Sequence, residues 1–424
     1  MPVGVGLIGV GTVGGGVITT LACNHETISM RTGLDVRLVH VAEKNPKQLD
    51  GFALEGVRVS SDAAAVIADP EVQVVVELIG GLEPARTFIL RALSAKKHVV
   101  TANKMLLAHH GAELAEAAAA QGVELRYEAA VAGTIPIIKA LREGLVANQV
   151  SAVYGILNGT CNYILSQMTE KGLEFGDALA QAVTLGFAET PPDLDIEGFD
   201  TAHKCQIIAS LCYSTPVSLD DLHIEGITRI THADVADAKE LGYLIKLLAV
   251  VRSIEGEVEA RVHPTLVPLN HPLASVWNEF NAVYVQSDIA DVTMFYGRGA
   301  GRMPTASAVV SDIVDIAGRS GHPAMPAFVY ARRLPIRDMG KLVGRYYLRM
   351  STEDKPGTLA KICFALGRQQ VSIASCFQRE TGVQGRVHVV VMTHESQEAA
   401  VRKAIEEIDG LDCIWGASQL IRVL

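Results

Sequence analysis

Through the first 130 residues, short β-branched and apolar runs alternate with stretches whose apolar positions recur at helical spacing. Segments 3–10, 36–42, 72–78, 98–101 and 123–128 read as strands; 12–21, 62–68, 83–95 and 106–120 read as helices. Such alternation predicts a parallel sheet with helices on both faces, because a parallel crossover is long and usually helical. From about 131 to 318 the rhythm changes to one strand (152–157), several helices, and further strands around 242–254, 257–263 and 281–295. A helix begins near Pro304, a residue suited to a first helical turn. This pattern predicts an α+β domain whose mostly antiparallel sheet offers a dimer surface.

Residues 319–344 hold Pro323, Pro326 and Pro335 with a basic pair, Arg332 and Arg333, the composition of a linker. Beyond it, strands at 345–351, 371–377, 385–393 and 413–421 and helices at 358–369 and 396–408 make a βαββαβ module of ferredoxin-like type. The expected division is therefore 1–130, 131–318, a linker at 319–344, and 345–424. A length of 424 residues agrees, suggesting about three domains.

Charge and composition narrow the partners. A formal net charge of −10 and only 5% aromatic residues argue against nucleic acid, which needs clustered Lys and Arg and stacking platforms. No apolar run reaches the ~18 residues of a membrane span. The start, MPVGVGLIGVG, lacks a basic n-region, and its glycines interrupt any apolar h-region, so no signal peptide is expected. Seven scattered cysteines, mostly in apolar segments, predict buried thiols in a reducing cytoplasm. No Cys/His spacing suits zinc.

Gly9-Val10-Gly11-Thr12-Val13-Gly14 matches G-x-G-x-x-G directly after a strand and at the start of a helix, the context of a Rossmann-type dinucleotide site. Gly9 permits the tight turn, Gly11 the approach of backbone N–H groups to pyrophosphate, and Gly14 close helix–strand packing. The helix N-terminus adds partial positive charge. The ribose acid expected about 20 residues on is displaced by an extra segment, 24–34. The second strand ends at Ala42-Glu43-Lys44-Asn45: Glu43 suits the ribose of NAD, Lys44 the 2′-phosphate of NADP, and either suits plain solvation.

Two lysines carry the candidate chemistry. Thr101-Ala102-Asn103-Lys104 ends the fifth strand, at the sheet edge where ligands of such folds collect, so Lys104 faces the nicotinamide side. In the segment 186–204, Pro191 and Pro192 keep Glu189 on a loop, whereas Asp200 and Lys204 stand i, i+4 on one helix face that continues through Ile208 and Leu211. An inward lysine loses proton affinity by desolvation, toward a value useful in proton transfer. Hydride removal from an alcohol requires the hydroxyl proton to leave, and a neutral lysine accepts it. Glu189 and Asp200 suit an ammonium group, so the site chemistry suggests an amino-acid-like alcohol or aldehyde.

With these segments the whole chain resembles homoserine dehydrogenases. The resemblance is carried by GVGTVG, TANK at 101–104, EAAVAGTIPII at 128–138, NGTCNYIL at 158–165, LGFAETPPDLDIEGFDTAHK at 185–204 and GRGAGRMPTASAVVSD at 297–312. It implies interconversion of L-homoserine and L-aspartate 4-semialdehyde with NAD or NADP. It makes Lys204 the proton donor and acceptor, Lys104 a second essential lysine, Glu189 and Asp200 the homoserine-binding acids, and Asp195 a further acid beside the reacting group. Gly301 falls in the glycine segment that closes on the cofactor; Lys44 stands where family members often carry Arg. The resemblance also implies a monovalent cation, usually Na+, at the segment from Glu128. The Glu128 carboxylate with the carbonyls of Val131, Gly133 and Ile135 is an all-oxygen set suited to a hard cation.

The C-terminal module resembles an ACT domain. Asp354-Lys355-Pro356-Gly357 lies between its first strand and helix, where that family binds small amino acids, implying L-threonine as effector and a homo-oligomer, dimer or tetramer. Two other readings compete: a related dehydrogenase for a different hydroxy acid or aldehyde, and a sensor that binds dinucleotide and amino acid without chemistry. The sensor has no use for two lysines and three acids around one cleft, and no nucleic-acid-binding module accompanies it.

Overall fold

A computed structural model of the chain describes residues 2–188, 190–319, 321–381 and 385–424. Strands β1 (Val3–Ile8), β2 (Val36–Ala42), β3 (Arg58–Ser60), β4 (Val74–Glu77), β5 (His98–Thr101) and β6 (Leu125–Arg126) form one sheet in the order β3-β2-β1-β4-β5-β6. Every neighbouring pair is parallel. This is the dinucleotide-binding order, with its switch point beside β1. Alternate side chains enter opposite layers: Val74 and Val76 join one core, Val75 the other.

The sheet's two faces are covered from different parts of the chain. Helices Ala63–Ala68, Ala85–Ser94 and Lys104–Gln121 cover one face, as expected. On the other, the helix Thr12–Cys23 packs against Arg302–Gly318, whose Ala306, Val309 and Ile313 enter the same core as Val5 and Leu7. The chain thus returns to the first sheet at 302–318, a segment grouped by sequence with the middle domain. Gly16 makes that crossing possible: a Cβ there would lie 2.5 Å from the Arg302 carbonyl oxygen.

The second sheet spans two sequence segments. Its strands are β7 (Val150–Ile156), β8 (His223–Ile224), β9 (Tyr243–Ile254), β10 (Glu257–Pro268), β11 (Phe280–Ser287) and β12 (Val292–Arg298). The C-terminal segment adds β13 (Val343–Gly344), β14 (Tyr346–Glu353), β15 (Ile373–Glu380), β16 (Arg386–Thr393), β17 (Ser396–Gln397) and β18 (Gln419–Val423). Apart from the small β13–β17 pair, these form one sheet, β12-β11-β7-β9-β10-β18-β14-β16-β15, with β8 beside β10. The run predicted around 281–295 is a hairpin, β11–β12. In the C-terminal module, β18, β14, β16 and β15 with helices Thr358–Arg368 and Glu398–Asp409 make the expected βαββαβ fold. Its strand β18 also bonds to β10, Thr265 opposite Arg422 and Leu266 opposite Val423, so the module continues the middle sheet.

The linker is packed against the body. Tyr127 donates to the Ala327 carbonyl at 2.6 Å, and its ring stacks on Phe328 at 4.9 Å. All seven cysteines are free, but only Cys161, Cys205 and Cys413 are buried; Cys23 and Cys376 are exposed, contrary to expectation. Among the described residues no helix is long and apolar enough to cross a membrane.

Candidate active site

The glycine turn is built as its spacing predicts. Gly9 has φ +94°, and a Cβ on Gly14 would lie 2.1 Å from the Gly9 carbonyl oxygen, so neither position accepts a side chain. Gly11 is the N-cap of Thr12–Cys23 without a side-chain cap, and its Cβ direction opens into space. Gly301, φ +127°, is likewise the uncapped N-cap of Arg302–Gly318. Both N-termini reach an open cleft of about 470 Å³ lined by Gly11, Thr12, Gly15, Phe52 and Arg302. Neither helix has an acid in its first turn, so unpaired amides and a guanidinium face the same space. This donor set fits a dinucleotide's phosphates.

Arg302 lies over the Phe52 ring at 5.4 Å and was not singled out by sequence, although a basic residue directly after Gly301 was the available signal. Val13, half-buried in the first turn, completes the motif. The Glu43 carboxylate accepts from the Val10 N–H at 2.7 Å and the Asn45 N–H at 2.8 Å. It therefore ties the glycine turn to the end of β2. Lys44 beside it is exposed.

At the end of β5, each residue around Lys104 has a bond that fixes the turn. Thr101 Oγ1 donates to Glu77 at 2.8 Å, and Glu77 also accepts from the Ile79 N–H at 2.8 Å. Burial pushes the Glu77 carboxyl above its ordinary range, against those hydrogen bonds. Asn103 caps the following helix through Leu106 N–H at 3.1 Å and donates to the Gly81 carbonyl at 2.7 Å. Lys104 opens that helix, with Nζ 2.9 Å from Asp200 Oδ1.

Asp200 brings the two lysines together. Its other oxygen, Oδ2, accepts from Lys204 Nζ at 2.7 Å and Asn158 Nδ2 at 2.8 Å. Lys204 also donates to the Leu157 carbonyl at 2.6 Å and is only 8% exposed. Burial pulls the Lys204 ammonium below its ordinary range, opposed by the Asp200 charge. Burial opposes ionisation of Asp200, but the adjacent ammonium groups overcome it and hold the carboxyl well below its usual range.

Asp195, in the short helix Asp193–Ile196, accepts from Asn158 at 2.7 Å and Thr160 at 3.2 Å. Burial, then the Asp200 charge, raises its proton affinity. Glu189 lies outside the described residues. Asn158, which no sequence argument selected, is the link between the two described acids.

The segment proposed for a cation divides into two parts. Both Glu128 carboxylate oxygens accept backbone amides, Ile138 and Lys139, each at 2.8 Å, capping the helix that follows instead of turning to the loop. Burial raises the Glu128 carboxyl to about 7 and, with Glu128's charge, that of neighbouring Asp312 also to about 7. Val131 and Gly133 are buried in an irregular turn, where Ala132 and Gly133 have φ +56° and +58°. Among the described residues, nothing donates a hydrogen bond to the Val131 or Gly133 carbonyl. The Ile135 carbonyl accepts the Ile137 N–H at 2.8 Å. The two open carbonyls fit a hard cation better than the carboxylate does.

In the C-terminal module, Asp354, Pro356 and Gly357 are exposed. Gly357, φ +91°, is the uncapped N-cap of Thr358–Arg368, and Asp354 Oδ1 accepts from Gln378 at 3.1 Å.

Comparison with known proteins agrees with this architecture. Residues 9–128 match the NAD-binding domain of homoserine dehydrogenase, 136–314 the homoserine dehydrogenase family and 346–412 the ACT domain. The chain is 43% identical to homoserine dehydrogenase of Neisseria gonorrhoeae, covering 100% of this chain and 98% of that protein. It is 42% identical to that of Pseudomonas aeruginosa, covering 100% and 99%. A crystal structure of a homoserine dehydrogenase from Thiobacillus denitrificans superposes with a TM-score of 0.94 at 43% identity, covering 100% of this chain and 98% of that one. Another, from S. aureus, gives 0.77 at 31% identity, covering 100% and 99%. With an NAD(P)-binding domain, a catalytic domain and an ACT domain in this order, the chain belongs to the homoserine dehydrogenases, oxidoreductases acting on a CH–OH group.

Proposed function

We propose that the chain interconverts L-homoserine and L-aspartate 4-semialdehyde, with Lys204 as proton acceptor and donor. The carrying observation is the bridge Lys104–Asp200–Lys204, at 2.9 and 2.7 Å, on a buried lysine. When bound, NAD or NADP supplies the hydride acceptor or donor; Gly9, Gly11, Thr12, Val13, Gly14, Lys44, Gly301 and Lys104 would hold it. A neutral amine has two N–H groups and one lone pair. The Leu157 carbonyl and Asp200 Oδ2 use both N–H groups of Lys204, which leaves the lone pair for a substrate hydroxyl proton. In the reverse direction the third N–H of the ammonium donates to the forming alkoxide.

In this reading Lys104 holds Asp200 from the cofactor side, Glu189 and Asp200 bind the substrate ammonium, and Asp195 stands beside the reacting group. Lys204→Ala is expected to lower turnover more than a hundredfold while cofactor binding, followed by fluorescence titration, persists. Activity above about one hundredth of wild type would overturn the assignment.

The exposed turn at Asp354, Pro356 and Gly357 supports L-threonine feedback through the ACT module, for a helix N-terminus and a nearby acid suit the two ends of an amino acid. Absence of both inhibition and binding in a threonine titration would remove this reading. A Na+ ion at Glu128, Val131, Gly133 and Ile135, near the junction of the two domains, is part of the same proposal, with the open carbonyls of Val131 and Gly133 as its main support. So are a homo-oligomer, dimer or tetramer, and a cytoplasmic location. An exposed face on β12, with Val292 41% and Tyr296 55% exposed, supports assembly.

A further inference from the structure

Asn158 follows β7 and caps the helix Gly159–Lys171, its Oδ1 accepting the Cys161 N–H at 2.7 Å. That bond fixes which end of the amide is oxygen. The nitrogen is thereby turned to the opposite side, where it donates to Asp195 Oδ1 at 2.7 Å and to Asp200 Oδ2 at 2.8 Å. Both N–H groups are spent on carboxylates, in a residue only 5% exposed. A primary amide is suited to this place: one neutral atom gives a hydrogen bond to each of two anions and keeps them apart.

Asp200 is oriented by the same contact. Its Oδ2 receives both Asn158 and Lys204, which turns Oδ1 toward Lys104. The preceding residue, Leu157, supplies the carbonyl that takes another Lys204 N–H. The dipeptide Leu157-Asn158 therefore sets both directions in which Lys204 donates.

We propose that Asn158 is a positioning residue for the proton transfer: its amide separates Asp195 from Asp200 and aims Asp200 so that each oxygen meets one lysine. The proposal rests on Lys204 as proton donor and acceptor. Asn158 acts through its two acids. The charged and titratable groups facing this cluster are Asp195 and Glu197 from the turn, Asp200, His203 and Lys204 from the helix, and Lys104 and His109 from the first domain. Glu189 lies outside the described residues.

Two variants separate this role from helix capping, and a third is the reference in which both are lost. Serine and aspartate both cap helices as asparagine does, but Asn158→Ser cannot reach both acids and Asn158→Asp replaces the donor with a third carboxylate. Asn158→Ala removes cap and donor together. The proposal predicts that the Ser variant keeps its thermal midpoint within a few degrees and its KM for cofactor, whereas the Asp variant, with a third buried carboxylate, loses stability but keeps its KM for cofactor where folded. Their kcat should fall by about a hundredfold, the usual penalty for misplacing a reacting group by about 1 Å.

The Asp variant should also shift the pH profile of homoserine oxidation upward, because a further negative charge favours the Lys204 ammonium. A loss in kcat below tenfold in folded Ser variant, with an unchanged pH profile, would overturn the proposal and leave Asn158 a helix cap. If the Asp variant does not fold, the Ser variant decides alone. Failure of the Lys204 assignment is distinguishable, since it appears as retained turnover in Lys204→Ala, whatever the Asn158 variants do.

Discussion

Asp200→Asn should uncouple the two lysines at almost unchanged volume. The ion pairs measure 2.7 Å to Lys204 and 2.9 Å to Lys104. At an effective dielectric of about 20, a pair at such a distance is worth roughly 6 kcal/mol before relaxation. Lys104, its side chain 38% exposed, feels less because solvent screens it. If reorganisation recovers half for buried Lys204, roughly 3 kcal/mol remains, more than a hundredfold in its preference for the charged form.

The Asp200 charge favours the ammonium, so its removal lets Lys204 lose its proton at lower pH, adding to the effect of burial. Aldehyde reduction, which needs the ammonium, should therefore lose activity at neutral pH and fall off at lower pH than in wild type. The acid limb of homoserine oxidation should move in the same direction. The assay is kcat/KM against pH in both directions, with a thermal midpoint to verify folding. Variant profiles that superimpose on wild type after scaling would refute the coupling of Asp200 to Lys204.

Gly14→Ala places a Cβ 2.1 Å from the Gly9 carbonyl oxygen. It should cost about 1–3 kcal/mol of stability and at least tenfold in dinucleotide affinity; a wild-type midpoint and affinity would contradict the packing role. Lys44→Ala should raise the KM for NADP by about tenfold and leave that for NAD unchanged, as expected for one charge-assisted bond to a 2′-phosphate; equal effects on both would discount Lys44. Asp312, raised to about 7 from an ordinary 3.8, binds its proton more tightly folded than unfolded. Stability is therefore lost as pH rises from about 4 to 7 and stays lower above. Asp312→Asn, able to keep the acceptor for Glu128 N–H, should restore up to roughly 4 kcal/mol at pH 8 and nothing below pH 4. Equal urea midpoints for wild type and variant at pH 8 would exclude this.

Much of the first sheet was legible because β1, β4 and β5 are buried on both faces, which leaves short near-continuous apolar runs, while the β-branched residues of β2 mark it despite its exposed Arg37. The edge strand β3 was not, because three residues with largely exposed side chains carry no pattern. The helix His25–Thr32 buries no residue and was missed for the same reason. Pro304 in a first-turn position marked the helix after Gly301 but could not say that it packs on the first sheet, a fact set by Gly15 and Gly16 far away in sequence. Joining of β18 to β10 was hidden likewise, since a strand's pattern names its buried face and not its neighbour.

At the site, Lys104 and the Asp200–Lys204 pair were legible from strand ends and helix spacing. Asn158 was not: as a residue type it reads as a helix cap, and its second use appears only when the turn bearing Asp195 folds over it. Glu43 suited the ribose of NAD or plain solvation, and Glu128 was a cation ligand by resemblance alone; that each also accepts backbone amides of a neighbouring turn was not legible, because residue type does not show which amides lie near.

The central claim is tested most directly by offering the folded wild-type protein L-homoserine with NAD and, separately, with NADP, and following reduced cofactor by absorbance. Homoserine-dependent reduction of at least one cofactor, with aspartate semialdehyde as product, is the predicted result. No reduction of either, from protein shown to be folded, would contradict it.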